Sequence, residues 1–297
     1  HPDNRVSPVQ RKLMTTGKDE NVFNIAIKGN FDDCQNLVKS MFADKKFSSD
    51  IKMSGVNSIN WARIIAQSVY YFYSYLSVED ASEPTNFSVP TGNFGDVYAG
   101  YLAKKMGLPI DKLIVATNQN DILHRAISKG SYEAEKVSET ISPSMDIQIA
   151  SNFERLIFDL NNGDDQQTSL DMKNIKEKGQ YLINDDKLNK ISENFLSARM
   201  SEDETLEVIK NVYEKFAVVL DPHTAIGYGA FDKHNLKGNN IVLATAHPCK
   251  FPGAIQSAIN VKAELPNELT FILDQKENYD IVENDIEKVK QHIKDRT

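Results

Sequence analysis

Apolar residues fall along this chain in two rhythms. Val22, Phe23, Ile25, Ala26 and Ile27 crowd into Asn21 to Lys28, a run of the length of a buried strand, and Gly29 ends it. Residues 31 to 46 then place Cys34, Leu37, Val38, Met41 and Phe42 at helical spacing, with Asp32 and Asp33 in the first turn, where the helix dipole favours carboxylates. The same order returns over residues 86 to 129 and 217 to 260. An apolar strand runs into the turn Gly92 to Gly95 and a helix beginning near Phe94, followed by strand Leu113 to Ala116 and a helix from Asp121 to Lys129. Later, Ala217 to Leu220 and Ile241 to Ala244 read as strands, with Pro222 at the first position of a helix. Such alternation predicts an α/β fold, a mostly parallel sheet flanked by helices.

Other segments fill in around that frame. Ser7-Pro8 opens a helix through Met14, and Val282 to Ile293 closes the chain with an amphipathic one. Asn57 to Leu76 carries Trp61, Ile64, Ile65, Val69, Phe72 and Leu76 on one face and Tyr70, Tyr71, Tyr73 and Tyr75 around the rest, which predicts a helix nearly enclosed by protein. Helical segments around Met145 to Leu160, Lys187 to Phe195 and Glu202 to Phe216, broken by the polar stretch Asn161 to Gln167, read as a peripheral helical insertion. The expected domains are therefore the end of a smaller one (1–53), the first part of a large one (54–137), the insertion (138–215) and the second part of the large one (216–297), with the polar residues 44 to 52 as a link.

Composition narrows the classes. With 297 residues, 40% hydrophobic and 26% charged, the chain buries a full core and holds more than one compact unit. A net charge of −8 without a basic block argues against nucleic acid, and the tyrosines of the long helix, beside few cations, read as core rather than as a base-stacking platform. Cys34 and Cys249 are too few and too far apart for a disulfide framework. There is no apolar run near the roughly 20 residues of a membrane span and no basic-then-apolar leader, so the expected location is cytoplasmic.

Candidate chemistry concentrates in Val89-Pro90-Thr91-Gly92-Asn93-Phe94-Gly95-Asp96. Glycines that permit positive φ and remove Cβ atoms, at the start of a helix with unpaired N–H groups, suit a phosphate, although the same spacing also serves as an ordinary tight connection. Ser58, Asn60 and Arg63, at the start of the long helix, form a second candidate anion site; capping by Asn57 or Ser58 with a solvated Arg63 is the plainer reading. Thr224 follows an apolar strand near a helix N-terminus, where open α/β sheets place ligands, and it could equally cap that helix. His223 and His247 lack partners at metal-ligand spacing, so no metal is expected. No Gly-x-Ser-x-Gly elbow supports a Ser-His-Asp hydrolase.

The Val89 to Asp96 run, followed by Ala99-Gly100-Tyr101 and Ala103 to Pro109, resembles the cofactor-phosphate loop and following helix of threonine synthases of the fungal and bacterial type. Asn57 to Arg63, Leu220 to Gly227 and Thr245 to Phe251 stand in that family's order. The resemblance implies a β-family (fold type II) pyridoxal-phosphate enzyme of threonine biosynthesis, a lyase that converts O-phosphohomoserine and water to threonine and phosphate. It implies cofactor-binding roles for Gly92, Asn93, Phe94, Gly95 and Asp96 on the phosphate and for Thr224 on the pyridine nitrogen, which a hydroxyl, unlike a carboxylate, does not hold protonated. Ser58, Asn60 and Arg63 become candidates for the substrate phosphate. The family's Schiff-base lysine lies in a Phe-Lys-Asp motif, and its Ser-Gly-Asp-Thr-Gly turn lies upstream too; neither occurs here, and Arg5 to Gln10 matches an internal stretch. The expectation is thus a C-terminal portion with no catalytic lysine of its own, inactive in isolation. The alternatives are a threonine-synthase-like phospho-lyase and, for a chain naturally this short, a non-catalytic phosphate-binding protein.

Overall fold

The computed structural model of the chain describes residues 1 to 58 and 60 to 296. The side chains of Phe31 and Asp32, and with them the expected first-turn placement of Asp32, lie outside that description, as does Ile59 of the Asn57 to Arg63 stretch. Two compact units emerge, His1–Gly55 with Glu264–Thr297, and Val56–Ala263.

The first unit begins with α1 (Pro8–Thr15), whose Ser7 hydroxyl accepts the N–H of Gln10 at 3.3 Å. Strand β1 (Ile25–Lys28) is half the expected length and leaves Val22 and Phe23 exposed, because its ladder begins only at Ile25. Helix α2 (Phe31–Ala43) starts from a capping box in which Asn30 and Asp33 each accept the other's main-chain N–H. Residues 44 to 52 are no link. Asp44 caps α3 (Lys45–Asp50), and Phe47 is buried with Leu37 and Met41.

The second unit carries a four-stranded parallel sheet of order β6-β3-β2-β7. In chain order its elements are α4 (Trp61–Leu76), β2 (Thr85–Pro90), α5 (Gly95–Lys105), β3 (Ile110–Thr117), α6 (Ile122–Lys129) and β4 (Ser131–Glu133). There follow α7 (Phe153–Leu160), α8 (Asp165–Lys178), β5 (Gln180–Leu182), α9 (Asp185–Asn194), β6 (Phe195–Arg199), α10 (Glu202–Phe216), α11 (Pro222–Asp232), β7 (Asn239–Val242) and α12 (Pro252–Ile259). Because side chains alternate across a strand, Leu113 and Val115 of β3 enter one core with Phe87, Tyr71, Phe94, Phe153 and Phe195, while Ile114 and Ala116 enter another with Ile226 and Ala230 of α11. Both faces are covered, as parallel sheets require.

Three expectations fail here. Residues 138 to 215 are not a peripheral insertion: β6 pairs with β3, and Phe153, Ile157 and Phe195 lie in the main core. Within it, residues 161 to 164 of the polar stretch do separate two helices, but the second of them, α8, begun by the Asp164 side chain accepting the N–H of Gln167, stands where no helix was expected. Ala217 to Leu220 is not a strand, since Ala217 turns the chain at φ 55° as the C-terminal cap of α10, and Val219 and Leu220 pack with Ile209, Ala225 and Ile255 instead. Nor is the long helix nearly enclosed. Asn60 caps it, only Ile64, Ser68 and Tyr71 are fully buried, and Val69, Tyr73 and Leu76 stay 60%, 75% and 79% exposed.

The chain then returns to the first unit. Strand β8 (Asp280–Glu283) pairs in parallel with β1, from Ile25 opposite Asp280 to Lys28 opposite Glu283, and α13 (Ile286–Lys294) buries Val289 beside Leu37 and Met41. Val282, expected in the last helix, is in this strand, and Glu264 to Thr297 groups with the first unit rather than with residues 216 to 263.

Candidate functional site

Strand β2 ends at Pro90, and the turn that follows is shaped by three residues. Gly92 has no room for a side chain, since a Cβ there would stand 2.7 Å from the carbonyl oxygen of Ser144. Neither Gly92 nor Gly95 has positive φ. The left-handed residue is Phe94, at φ 70°. A bulky residue in that region carries backbone strain, and the surrounding packing holds it: the Phe94 ring is fully buried, 5.2 Å from the ring of Phe153 and 5.8 Å from that of Phe195. The glycines therefore supply space and the phenylalanine supplies the bend.

Around that bend several main-chain donors are left unpaired. Asn93 uses its side-chain oxygen on the N–H of Gly95 at 2.9 Å and its carbonyl on the N–H of Asn152 at 3.0 Å. Among the described residues, the N–H groups of Gly92, Asn93, Phe94 and Asp96 have no hydrogen-bond partner, and α5 begins without a side-chain cap. Four free donors at the positive end of a helix form an anion cradle. Asp96, in the first turn of α5, is pushed up to about 6, chiefly by burial, while a hydrogen bond from Tyr71 and the charge of Arg63 pull the other way.

The surroundings of the turn are assembled from distant segments. Asn118, just past β3, donates to Thr140, Ser142 and Asp146, and Asp146 also accepts from Asn120, which pins the loop carrying the short 3-10 turn Pro143–Met145. Within it, the carbonyl of Ser144 packs against Gly92 while its N–H donates to His223 Nε2 at 3.3 Å. Helix α11 reaches the same place. Gly227 lies against Pro90, and the Ser88 hydroxyl donates to the Gly227 carbonyl at 2.5 Å, so Thr224, one turn earlier in α11, stands by the end of β2. Its hydroxyl donates to Asp221, which caps α11. Thr224 is 5% exposed and is not itself the cap.

Of the second candidate group, Ser58 offers its carbonyl to Asn152 Nδ2 at 2.8 Å and lies beside Gly95. Asn60 spends its side-chain oxygen on the N–H of Ala62. Arg63 is exposed, within electrostatic reach of Asp96. His247 caps the short turn Pro248–Lys250 through the N–H of Cys249, and no group of three His, Cys, Asp or Glu stands close enough for a metal ion among the described residues. A cleft of about 250 Å³ along the later half of α11 has its Lys233 paired with Glu204 at 2.7 Å. Sequence reasoning missed Asn152, Ser144 and Asp221. Asp221-Pro222 is a readable start of a helix; the other two carry no local signal.

A parallel sheet covered on both faces, with a glycine turn and a helix N-terminus meeting at its strand ends, is the architecture of the fold type II pyridoxal-phosphate enzymes. Comparison with known proteins narrows this. The family model "Threonine synthase, C-terminal" matches residues 224–293. The chain is 45% identical over 296 residues to the threonine synthase of Pseudomonas aeruginosa and 43% identical over 324 to that of Saccharomyces cerevisiae, each alignment covering 99% of this chain and 63% of the relative. The crystal structure of pyridoxal-phosphate-bound threonine synthase from Brucella melitensis superposes with a TM-score of 0.95 at 46% identity, covering 99% of this chain and 64% of the other; the yeast enzyme's structure gives 0.91 at 42%. Along essentially its whole length the chain is similar to these threonine synthases, and it spans just under two thirds of their length. No described helix is long and apolar enough to cross a membrane.

Proposed function

We propose that this chain supplies the cofactor and substrate-phosphate sites of a threonine synthase, the pyridoxal-phosphate lyase that converts O-phosphohomoserine and water to threonine and phosphate. The observation that carries this reading is the joining of the free N–H groups of Gly92 to Asp96 to the Asp221–His223–Thr224 group through one residue, Ser144. A flat cofactor with a phosphate at one end and a ring nitrogen at the other fits such a pair of sites. The cradle also passes a simple test of fit. It is kept free of a Cβ where Gly92 meets main chain, and its donors point at no protein acceptor.

Pyridoxal phosphate, when bound, supplies the electron sink that makes carbon-bound protons removable. The chain's own part is binding and orientation. The four N–H groups and the α5 dipole hold the phosphate, and Thr224 meets the ring nitrogen. The first turn of α4, with Ser58, Asn60 and the exposed cation Arg63, faces the substrate phosphate; it is tied to the cradle by Asn152 and by the charge of Arg63 near Asp96. A cytoplasmic setting suits a biosynthetic enzyme of this kind.

The test compares pyridoxal phosphate with phosphate-free pyridoxal by calorimetric titration, in the chain and in Gly92→Ala. The phosphate ester should bind at least tenfold more tightly to the chain, and Gly92→Ala should abolish most of that difference, because the added methyl group displaces Ser144 or the turn. Equal affinity for the two compounds would sink the cradle. With phosphohomoserine as substrate for the active enzyme, threonine as the product supports the synthase and 2-oxobutyrate would indicate a related phospho-lyase.

A further inference from the structure

We propose that Asp221 is a positioning residue which, through Thr224, keeps the ring nitrogen of the bound cofactor protonated. The inference rests on the reading above, in which Thr224 meets that nitrogen. Asp221 is 1% exposed, and its two oxygens do different work. Oδ1 accepts the main-chain N–H of His223 at 2.9 Å and the Nδ1–H of the same residue at 2.9 Å, whereas Oδ2 accepts the Thr224 hydroxyl. A helix cap needs only the first of these three bonds.

The proton positions follow from geometry. Because the N–H of Ser144 points at His223 Nε2, that nitrogen is an acceptor, and the ring proton sits on Nδ1, facing Asp221. Three donors thus converge on one buried carboxylate. The single proton of Thr224 is committed to Oδ2, so its oxygen has only lone pairs left to offer a ligand. Opposite a bare ring nitrogen, two lone pairs would face each other in a buried site; opposite a ring N–H, they form a hydrogen bond. The proton arrives from solvent as the ring binds, and no bond to carbon changes. This reverses the expectation drawn from the hydroxyl alone, that such a residue leaves the nitrogen unprotonated. The carboxylate one step behind the hydroxyl sets its direction.

Asp221→Asn separates this role from a structural one. Asparagine is as good a helix cap as aspartate, and the two His223 donors hold the amide oxygen at the Oδ1 position. The new NH₂ then stands at the Oδ2 position and donates to Thr224, which turns the Thr224 proton toward the ligand. The measurement is the ¹⁵N resonance of ring-labelled pyridoxal 5′-phosphate bound to the 297-residue chain, above the pH at which the free compound keeps its ring proton, with the Thr224 methyl shift followed alongside. Wild type and Thr224→Ser should show the protonated ring, and Asp221→Asn the bare one. A bare ring in wild type, which requires no variant to fold, would overturn the proposal, as would a protonated ring in folded Asp221→Asn. If the ligand leaves the Thr224 methyl unmoved while its ³¹P resonance reports binding at the cradle, the placement of the ring at Thr224 is what fails, and this inference goes with it.

Discussion

Asp96 stands in the first turn of a helix, where a carboxylate normally gains about 0.3–1 kcal/mol from the dipole, yet its pKa rises to about 6 from an ordinary 3.8. Burial outweighs the dipole, and at about 1.4 kcal/mol per unit the shift amounts to roughly 3 kcal/mol at most. The sign matters. A carboxyl raised in the folded state favours folding in its neutral form, so its contribution is complete below pH 4 and is lost as the pH rises through 6. Asp96→Asn should therefore match wild type near pH 4 and exceed it by up to about 3 kcal/mol at pH 8, as read by urea unfolding without ligand; identical pH profiles would refute the burial argument. At this scale the sequence was partly legible. Gly92 and Thr224 stand out because motifs announce them, but the motif could not say that Gly92 makes room for Ser144 or that Phe94 takes the left-handed turn, since both follow from packing between segments about 50 or more residues apart.

Helix α4 shows how an element misleads. Its apolar count predicted enclosure, whereas the structure buries the stripe Ile64, Ser68 and Tyr71, with Phe72 and Tyr75 packed beside it. Tyr71 decides the register. Its ring lies 4.9 Å from that of Phe87 and in close contact with Gly100 of α5, and its hydroxyl donates to the Asp96 carbonyl at 2.9 Å. Val69→Lys, on the exposed face, should change stability by less than about 0.5 kcal/mol, while Ile64→Ala should cost about 2–5 kcal/mol. Thermal unfolding of the two variants checks the assignment, and comparable losses would mean that the exposed face is packed after all. Strand β6 lay inside the stretch expected to be helical, whereas strands β2, β3 and β7 and the start of α11 at Pro222 were readable because their signals are local. Helix α8 and the false strand at Ala217 to Leu220 were not: the first has little apolar periodicity, and the second spends its apolar residues on a helix cluster rather than on a ladder.

At the scale of the molecule, alternation of strand and helix was enough to predict a parallel α/β fold, and the comparisons bear that out. What alternation could not convey is which strand pairs with which, and β1 finds its partner at the far end of the chain. The pair Lys28 and Glu283, 255 residues apart, is joined at 2.6 Å across the β1–β8 ladder, so the first unit is written in two instalments separated by the whole of the second. Order of synthesis then becomes a folding problem. A ribosome delivers β1 and α2 before β8 and α13, but Leu37 and Met41 have no Val289 to pack against, and the edge of β1 that β8 covers stays open, until residues 280 to 294 emerge. The second unit, contiguous from Val56 to Ala263, meets no such delay. Ending the chain after Tyr279 should leave amide protons of β2 and β3 protected from exchange while those of β1 and α2 exchange freely. Equal protection of β1 in the shortened chain would show that the early instalment stands without the late one. For a nascent polypeptide, the interval between the two is when β1 is exposed to the wrong partner.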